Sequence, residues 1–218
     1  MTIIEKIKAH EKEVQSRELP DELEICPKCG GRSRSFKLHE SRNRLFFVIV
    51  DFLVKKVWSV LGRWECPLCK CTSTYYPDYA IPHKRYTKNT ILELSKKYVE
   101  EKDYTYESVV QNDMATIVYD SKNNSSKYEC RLRSTTLWWW LSYIGSMHLL
   151  INKAFSLIRQ KDPLSKVFRE IQPINPKKYR SNKRKNLLQR CIEFLNTEDE
   201  FRRLFSNSVF LHFAKQAV

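Results

Sequence analysis

Two copies of the pattern Cys-Pro-x-Cys constrain the fold of this 218-residue chain more than any other feature. The first copy contains Cys26 and Cys29, and the second contains Cys66 and Cys69. Two residues between the cysteines of a pair let both thiolates reach one metal ion, as a tetrahedral zinc site requires. Proline in each copy, and Gly30 after the first, favour the tight turn that directs backbone N–H groups towards sulfur. The repeated pattern therefore predicts a four-cysteine zinc site.

The alternatives for this site differ in which side chains are the ligands. Cys71 closely follows the second pair and could replace Cys69, whereas His39 and His83 are weaker candidates. Cysteines acting only as small buried apolar residues would not explain a repeated pattern. A site with four thiolates has no open position for water, which favours a structural zinc ion over a catalytic one.

Residues 25–80 are expected to form β-structure around the predicted site. The cysteine pairs are separated by 36 residues, more than the roughly 12–20 of compact zinc sites, so an extended β insertion must bring them together. A period-2 pattern places four apolar residues on one face: Phe46, Val48, Val50 and Phe52. Residues 57–65 are rich in β-branched and aromatic side chains, as strands are. A helix over residues 45–61 is the alternative.

The first 24 residues form an acidic segment with a net charge of −3, in a chain whose total is +14. Ile4, Ile7 and Val14 have loosely helical spacing, and Pro20 is expected to end the helix. A solvated lead-in and a docking helix are both compatible with this pattern. Charged residues interrupt the segment, so it does not resemble a signal peptide. The longest apolar run, 45–54, is shorter than the roughly 20 residues that span a bilayer. We therefore expect a soluble, cytoplasmic protein associated with the nucleoid, in which cysteines are reduced or bound to metal.

Residues 81–148 have the periodicity of three helices. The first is expected to begin after Thr87, with apolar residues on one face at Ile91, Leu94, Tyr98 and Val99. Thr105 is a suitable N-cap for a second, short helix. The turn-like composition of 112–133 predicts a β-hairpin inserted before the third helix.

The third helix is expected to begin at a cap formed by Ser134 or Thr135 and to run without a break through residue 158. Its buried face would contain Leu137, Trp140, Leu141, Ile144 and His148. Residues 149–218 then form a helical C-terminal region with a basic segment at 177–185. Thr197 and Glu200 have capping-box spacing and predict the start of a last helix.

A family resemblance comes from the run RWECPLCKCTSTYYPDYAIPHKRYTKNTILEL, followed by STTLWWWLSYIG. Together they resemble the zinc-ribbon plus helix-turn-helix proteins of bacterial mobile elements and the N-terminal modules of insertion-sequence transposases. The family's lead into its first helix corresponds to Pro82, Lys84, Arg85 and Tyr86. The motif that opens its recognition helix corresponds to Ser134 or Thr135, with Leu137, Trp140 and Leu141. The resemblance covers residues 25–147 and implies DNA binding.

This sequence departs from the family at three places. It has the insert at 112–133, and Trp139 stands where the family commonly has a basic residue. The C-terminal third is too short for a nuclease core and has no distributed carboxylates that could hold two metal ions. The resemblance therefore implies DNA binding without strand transfer, beside a separately encoded recombinase.

The net charge of +14 indicates a polyanionic partner. Phosphate contacts require Lys or Arg where the DNA backbone passes, and a recognition helix enters the major groove with its first turns. The predicted contact residues are Lys84, Arg85, Lys88, Arg131, Arg133, Ser134, Thr135, Thr136, Trp139, Tyr143, Lys177, Lys178, Arg180, Lys183, Arg184 and Lys185. For any single Lys or Arg among them, the alternative is a solvated surface position without a DNA contact. Residues 138–140, three successive tryptophans, are expected to be buried between the ribbon and the C-terminal helices, and stacking on single-stranded bases is the alternative.

These patterns predict an α+β fold in which a β-rich zinc ribbon precedes a helix-turn-helix with an inserted hairpin and a helical C-terminal region. The expected function is binding of double-stranded DNA by a zinc-stabilised protein of a transposon or other mobile element, at element ends or in transcriptional regulation. We find no catalytic constellation and expect no enzyme activity. The alternatives are an adaptor for a recombinase or polymerase, and a binder of RNA or single-stranded nucleic acid. Assembly into an oligomer is compatible with all three.

Overall fold

The structure, a computed structural model, describes residues 1–20, 26, 28–31, 36–50, 53–101, 103–113, 132–169 and 181–214. It is α+β, as predicted: an N-terminal helix, then a three-stranded antiparallel sheet, then a helical region. The elements are α1 (Ile3–Gln15), β1 (Lys37–Val50), β2 (Leu53–Glu65), β3 (Thr72–Thr74), α2 (Lys88–Glu100), α3 (Tyr106–Asp113), α4 (Ser134–Gly145), α5 (His148–Lys161), a 3-10 turn (Lys166–Phe168), α6 (Asn182–Phe205) and α7 (Val209–Ala214). Within the described ranges, no helix has the length and apolar character needed to cross a bilayer.

The sheet is a long hairpin of β1 and β2, with β3 paired to the other edge of β2. The β1–β2 register runs from Lys37 opposite Glu65 to Val50 opposite Leu53, with one irregularity near Leu38. The strand interpretation is thus confirmed, and the alternative helix over 45–61 is wrong. Because the hairpin returns on itself, it brings both cysteine pairs to one end of the sheet.

Helix α1 covers one face of this hairpin. Ile7 is fully buried against a cluster of residues from the strands and the loop after them: Phe46, Val48, Leu61, Tyr79 and Ala80. Thr2 caps the helix, because its hydroxyl accepts from the Glu5 backbone N–H while the Glu5 carboxylate accepts from the Thr2 N–H. The segment is therefore a docked helix rather than a solvated lead-in.

The end of α1 differs from the prediction. The helix ends at Gln15, well before Pro20. Ser16 is the C-cap, and Arg17 then adopts the left-handed conformation with φ 59°. A left-handed residue turns the chain out of a helix without proline.

The helical region has its own core, with α4 and α6 at its centre. The predicted stripe on α2 is correct, since Ile91, Leu94 and Tyr98 are buried. Thr105 caps α3 as expected, because its hydroxyl accepts from the Ser108 N–H at 3.0 Å.

The third helix was predicted with the wrong start and without its break. Helix α4 begins at Ser134, so Arg133 is in the N-cap position and no side chain caps the helix. The predicted continuous helix is two helices that separate at residues 146–147. A Cβ on Gly145 would overlap the Leu187 carbonyl oxygen of α6, so α4 ends where it meets a neighbouring backbone. His148 consequently begins α5 and is exposed rather than facing the core.

The capping box at Thr197 is also wrong, because α6 continues through it. The Thr197 hydroxyl donates to the Glu193 carbonyl in the preceding turn. Glu200 instead pairs with Arg203 and accepts from the Ser165 hydroxyl, and these partners lower the pKa of its carboxyl to about 2, with Arg203 the main cause. A long buried face holds this helix together, so a capping pattern within it does not start a new one.

The sheet is joined to the helical region by backbone hydrogen bonds. The Phe47 N–H donates to the Arg85 carbonyl at 2.9 Å, and the Thr87 N–H donates to the Phe47 carbonyl at 3.2 Å. Between them, the Tyr86 ring packs edge-on against Phe47 and against Trp140, each at a centroid distance of 4.9 Å. Strand β1 therefore fixes the segment that leads into α2.

Candidate metal centre and surface around helix α4

The two cysteine turns have the same backbone geometry. The Cys26 carbonyl accepts from the Gly30 N–H at 2.9 Å, and the Cys66 carbonyl accepts from the Lys70 N–H at 3.0 Å. Gly30 and Lys70 both have positive φ, 67° and 60°. Each turn thereby directs its two thiols towards the same point.

The four thiols form one compact group. The Sγ atoms of Cys26 and Cys69 are 3.6 Å apart, and those of Cys29 and Cys66 are 3.9 Å apart. All four sulfur atoms lie within 4.8 Å of one another. Such a group could hold a metal ion, so the predicted ligand set is brought together.

Cys71 lies outside the group of four, so the structure does not support it as a replacement for Cys69. Its carbonyl accepts from the Cys66 N–H, and its thiol is 3.8 Å from the Thr72 carbonyl. His39 is 3.6 Å from a Glu65 carboxylate and is likewise not part of the group. His83, the remaining alternative, is also outside it.

The thiols influence each other's proton affinity. Burial alone would raise the pKa of the Cys26 thiol, but hydrogen bonds from the Cys29 and Lys28 N–H groups and from neighbouring thiols bring it down to about 7. For Cys69, the Cys71 N–H lowers the pKa, whereas burial and the other thiols raise it, to about 12. Ionisation of one thiol is therefore favoured, whereas ionisation of a further thiol in the group is disfavoured. A bound cation would remove that opposition, since metal binding displaces thiol protons.

A small apolar cluster surrounds the thiols. Trp64 and Phe36 are buried with Cys26 and Cys66, and Leu38 packs against them. Gly62 leaves space for the Trp64 indole, because a Cβ there would lie 2.7 Å from its Nε1 atom. The hairpin thus supplies the immediate packing of the four-cysteine group.

Helix α4 has an exposed aromatic face. Leu137, Trp140, Leu141 and Ile144 are buried, as predicted. Trp138 and Trp139 are not, since 39% and 63% of their surfaces are exposed. The prediction of a fully buried tryptophan run is therefore correct only for Trp140. Helical spacing explains this, because three adjacent residues cannot all face one side of a helix.

Lys84 lies against one end of this face. Its ammonium group is 4.2 Å from the centroid of the Tyr143 ring, and burial lowers its pKa. Its carbonyl accepts from Arg44 Nη2 at 3.0 Å, which connects β1 to the same region. The neighbouring Arg85 is exposed.

Arg184, in the first turn of α6, lies against the middle of the face. Its Nε and Nη2 donate to the Tyr106 hydroxyl at 3.1 and 2.7 Å, and its Nη1 donates to the Ser142 hydroxyl at 2.8 Å. Its guanidinium lies 4.8 Å from the Trp138 ring centroid. Two neighbouring helices, α3 and α4, therefore hold this cation in place.

Lys88 was predicted as a phosphate contact, but only 2% of its surface is exposed. Its backbone N–H donates to the Tyr79 carbonyl at 2.8 Å, which places it in the interior at the start of α2. Burial is the main reason that its pKa is lowered to about 8. The charge of Arg202 adds to this shift, whereas Glu198 and Asp78 oppose it.

The other predicted contact residues fall into two groups. Exposed or half-buried are Lys84, Arg85, Arg133, Ser134, Thr135, Thr136, Trp139, Tyr143, Lys183, Arg184 and Lys185. Outside the described residues lie Arg131, Lys177, Lys178 and Arg180, together with residues 114–131 of the predicted insert at 112–133, whose first two residues belong to α3.

Two residues on this surface were missed from the sequence: Arg44 and Tyr106. One sequence feature points to the region, because residues 130–161 contain no Asp or Glu. The partners of these residues could not have been found in the same way, since they come from segments far apart in the chain.

The family comparison covers the metal centre and the first two helices after it. Residues 26–118 match the family model described as "Domain of unknown function (DUF6431)". This region begins at the first cysteine and extends beyond α3. The chain shows no significant similarity to curated proteins, and none to solved structures.

Proposed function

We propose that this chain is a zinc-stabilised DNA-binding protein whose interface is the exposed face of α4. One observation carries the proposal: cations from separate segments converge on α4, with Lys84 against Tyr143 and Arg184 against Trp138. Arg133 directly precedes the helix and is exposed. Since residues 130–161 contain no acid, the surface favours a polyanion.

Phosphate groups suit this arrangement better than an acidic protein surface does. DNA offers a regular series of negative charges, and each Lys or Arg that neutralises one releases a counterion. Thr135 and Trp139 share the outward side of α4, and the N-terminal part of a recognition helix reads base edges. Helices α2, α3 and α4 pack against one another, as the resemblance to helix-turn-helix proteins implies.

Zinc is the proposed metal because of the sulfur geometry. Four sulfur atoms about 2.3 Å from a tetrahedral zinc ion lie about 3.8 Å apart, and two of the pairs here are 3.6 and 3.9 Å apart. Magnesium and calcium prefer oxygen ligands. The ion would have a structural role, because it would hold together one end of the β1–β2 hairpin. The same hairpin places Arg44 in contact with the Lys84 carbonyl.

The biological setting is proposed from the family resemblance alone. A DNA-binding protein without a nuclease core suits a mobile element in which a recombinase is encoded separately. It would bind the ends of the element or regulate its transcription.

The proposal is tested by titrating duplex DNA with the metal-loaded protein at two salt concentrations. We expect sub-micromolar affinity at low salt and a steep decline as salt increases. A combined Lys84→Ala, Arg133→Ala and Lys183→Ala variant should reduce the log–log salt slope by about 0.9 for each phosphate that the protein no longer neutralises.

A matched control removes the same charge elsewhere. Lys8, Lys12 and Arg190 are exposed on α1 and α6, and their combined change to Ala should leave the salt slope nearly unchanged. Absence of duplex binding at low salt would contradict the proposal. Equal effects of the two triple variants would show that only net charge matters and that α4 is not the interface.

A further inference from the structure

An ordered series of rings and one cation leads from the core to the exposed face of α4. We call it the aromatic–arginine stack, and its members are Tyr98, Tyr106, Arg184, Trp138 and Trp139. The Tyr98 and Tyr106 rings are stacked, 4.4 Å apart and 11° from parallel. The Arg184 guanidinium lies 5.7 Å from the Tyr106 centroid and 4.8 Å from that of Trp138. Buried Tyr98 therefore supports the series from within the core.

Arg184 is held by neutral groups within this stack. Its hydrogen-bond partners are the hydroxyls of Tyr106 and Ser142, which are neutral. No carboxylate in the described part of the chain pairs with it. A guanidinium has five N–H donors, and these contacts use three. The remaining two can donate to an anion at the surface.

Trp139 ends the stack with an open ring. Its indole is perpendicular to that of Trp138, with the planes at 89° and the centroids 4.9 Å apart. Although 63% of the residue is exposed, its ring packs against that of Trp138. A large planar apolar group held at a surface, beside an unneutralised cation, has the components of a base-stacking site.

We propose that the stack binds an unpaired nucleobase of DNA on the Trp139 ring, with the adjoining phosphate on Arg184. This inference rests on the proposed function and adds a substrate class to it: duplexes with an unpaired end or a displaced strand. In a closed duplex, neighbouring base pairs cover the base faces, and proteins read the base edges. Only an unstacked base offers the face that Trp139 can cover.

The charge around the stack selects this occupant over an apolar protein segment. An apolar segment would leave Arg184 buried next to it without an anion. A nucleotide supplies both the ring for Trp139 and the phosphate for the guanidinium. The stack is formed before binding, so little side-chain freedom remains to be lost.

The test compares two DNA probes, a blunt duplex and the same duplex with a short unpaired thymine overhang. We expect the metal-loaded wild-type protein to bind the overhang probe about ten-fold more tightly, as one stacked base allows. Trp139→Ala should abolish the preference, because it should weaken binding of the overhang probe more than binding of the blunt duplex. Trp139→Phe should retain part of it, because an aromatic face remains.

Trp58 offers a matched control, since it is 65% exposed on strand β2. Trp58→Ala should preserve the overhang preference. Tyr106→Phe, which removes two hydrogen bonds to Arg184 but keeps the ring, should reduce the preference a few-fold. Binding of the overhang should quench tryptophan fluorescence in Trp58→Phe but much less in Trp139→Phe.

The outcomes separate this inference from the proposed function. Equal affinity of wild-type protein for both probes, or an unchanged preference in Trp139→Ala, would refute the stacking site and leave duplex binding intact. A similar loss on both probes in Trp139→Ala would make Trp139 a duplex contact and also refute it. Failure of wild-type protein to bind either probe would refute both proposals.

Discussion

Few apolar residues are buried around the four cysteines, whereas many are buried between the helices. The metal end of the sheet has Phe36 and Trp64 beside the thiols. The helical core draws buried residues from the segment before α2, from helices α2–α7 and from the 3-10 turn. A small apolar cluster rarely supplies enough free energy to order long strands. We therefore expect the cysteine end of the sheet to depend on a metal cross-link, and the helical core to be independent of it.

The two regions meet through β1, so the comparison has a consequence for the proposed interface. Arg44 and Phe47 of β1 contact the segment at Lys84 and Arg85. Arg184, Trp138 and Trp139 belong to helices α4 and α6 of the helical region. Loss of the metal should therefore disturb the Lys84 side of the interface more than the Arg184 side.

Of the changes that affect the two regions differently, metal removal is expected to have the largest effect. A structural zinc site contributes on the order of 10 kcal/mol to folding in small domains. We expect a chelator, or Cys66→Ser, to abolish amide protection in β1 and β2 near the cysteines while α4 and α6 remain protected. Hydrogen exchange measured by mass spectrometry reports both regions in one experiment.

Cys71→Ser is the control for that experiment, because Cys71 lies outside the group of four. It should leave the protection pattern unchanged. Simultaneous loss of protection in α6 would show that the regions unfold as one unit, and purified protein without bound metal would refute the zinc proposal.

Gly145→Ala should destabilise the helical region rather than the metal end, and by less than metal removal destabilises the metal end. The added Cβ would overlap the Leu187 carbonyl oxygen and lie 2.9 Å from the Leu187 Cγ atom, so α4 and α6 must separate. Overpacking of this kind costs about 1–3 kcal/mol, and a rigid backbone atom places this case near 3. Urea unfolding monitored by circular dichroism would measure it.

This change should not affect the metal end. Metal affinity in the native protein should be the same for Gly145→Ala and for Ser146→Ala, the adjacent exposed position. An equal loss of stability in the two variants would show that the α4–α6 contact is not tight.

The sequence predicts the metal centre better than the helical surface, for a physical reason. Spacing within the chain decides whether Cys26 and Cys29 can share an ion, and alternation decides which side of β1 is buried. These are local properties. The break after Gly145 and the place of Arg184 depend on contacts between α4 and α6, which no local pattern contains. Lys88 is the clearest case, since a charged residue at a helix start is ordinarily exposed.

The smallest expected effect comes from a comparison of the two cysteine turns within the metal centre. Gly30 and Lys70 occupy equivalent places in the two turns, both with positive φ. A Cβ at Gly30 would have no atom within 4 Å, so Gly30→Ala tests backbone conformation alone and should cost about 1 kcal/mol. Metal affinity, measured by competition with a chelator, should fall about five-fold.

Lys70→Gly is the reciprocal change and should strengthen metal binding. It relieves the strain of a side chain at φ 60°, but glycine gains freedom in the unfolded chain. The variant also loses a surface ion pair of 3.6 Å with Glu65, which is worth little in solvent. The net gain should be about 0.5 kcal/mol, roughly a two-fold increase in affinity. Weaker metal binding in Gly30→Ala with stronger binding in Lys70→Gly would establish that the two turns depend on backbone conformation in the same way. Weaker binding in both variants would mean that the Lys70 side chain itself supports the second turn.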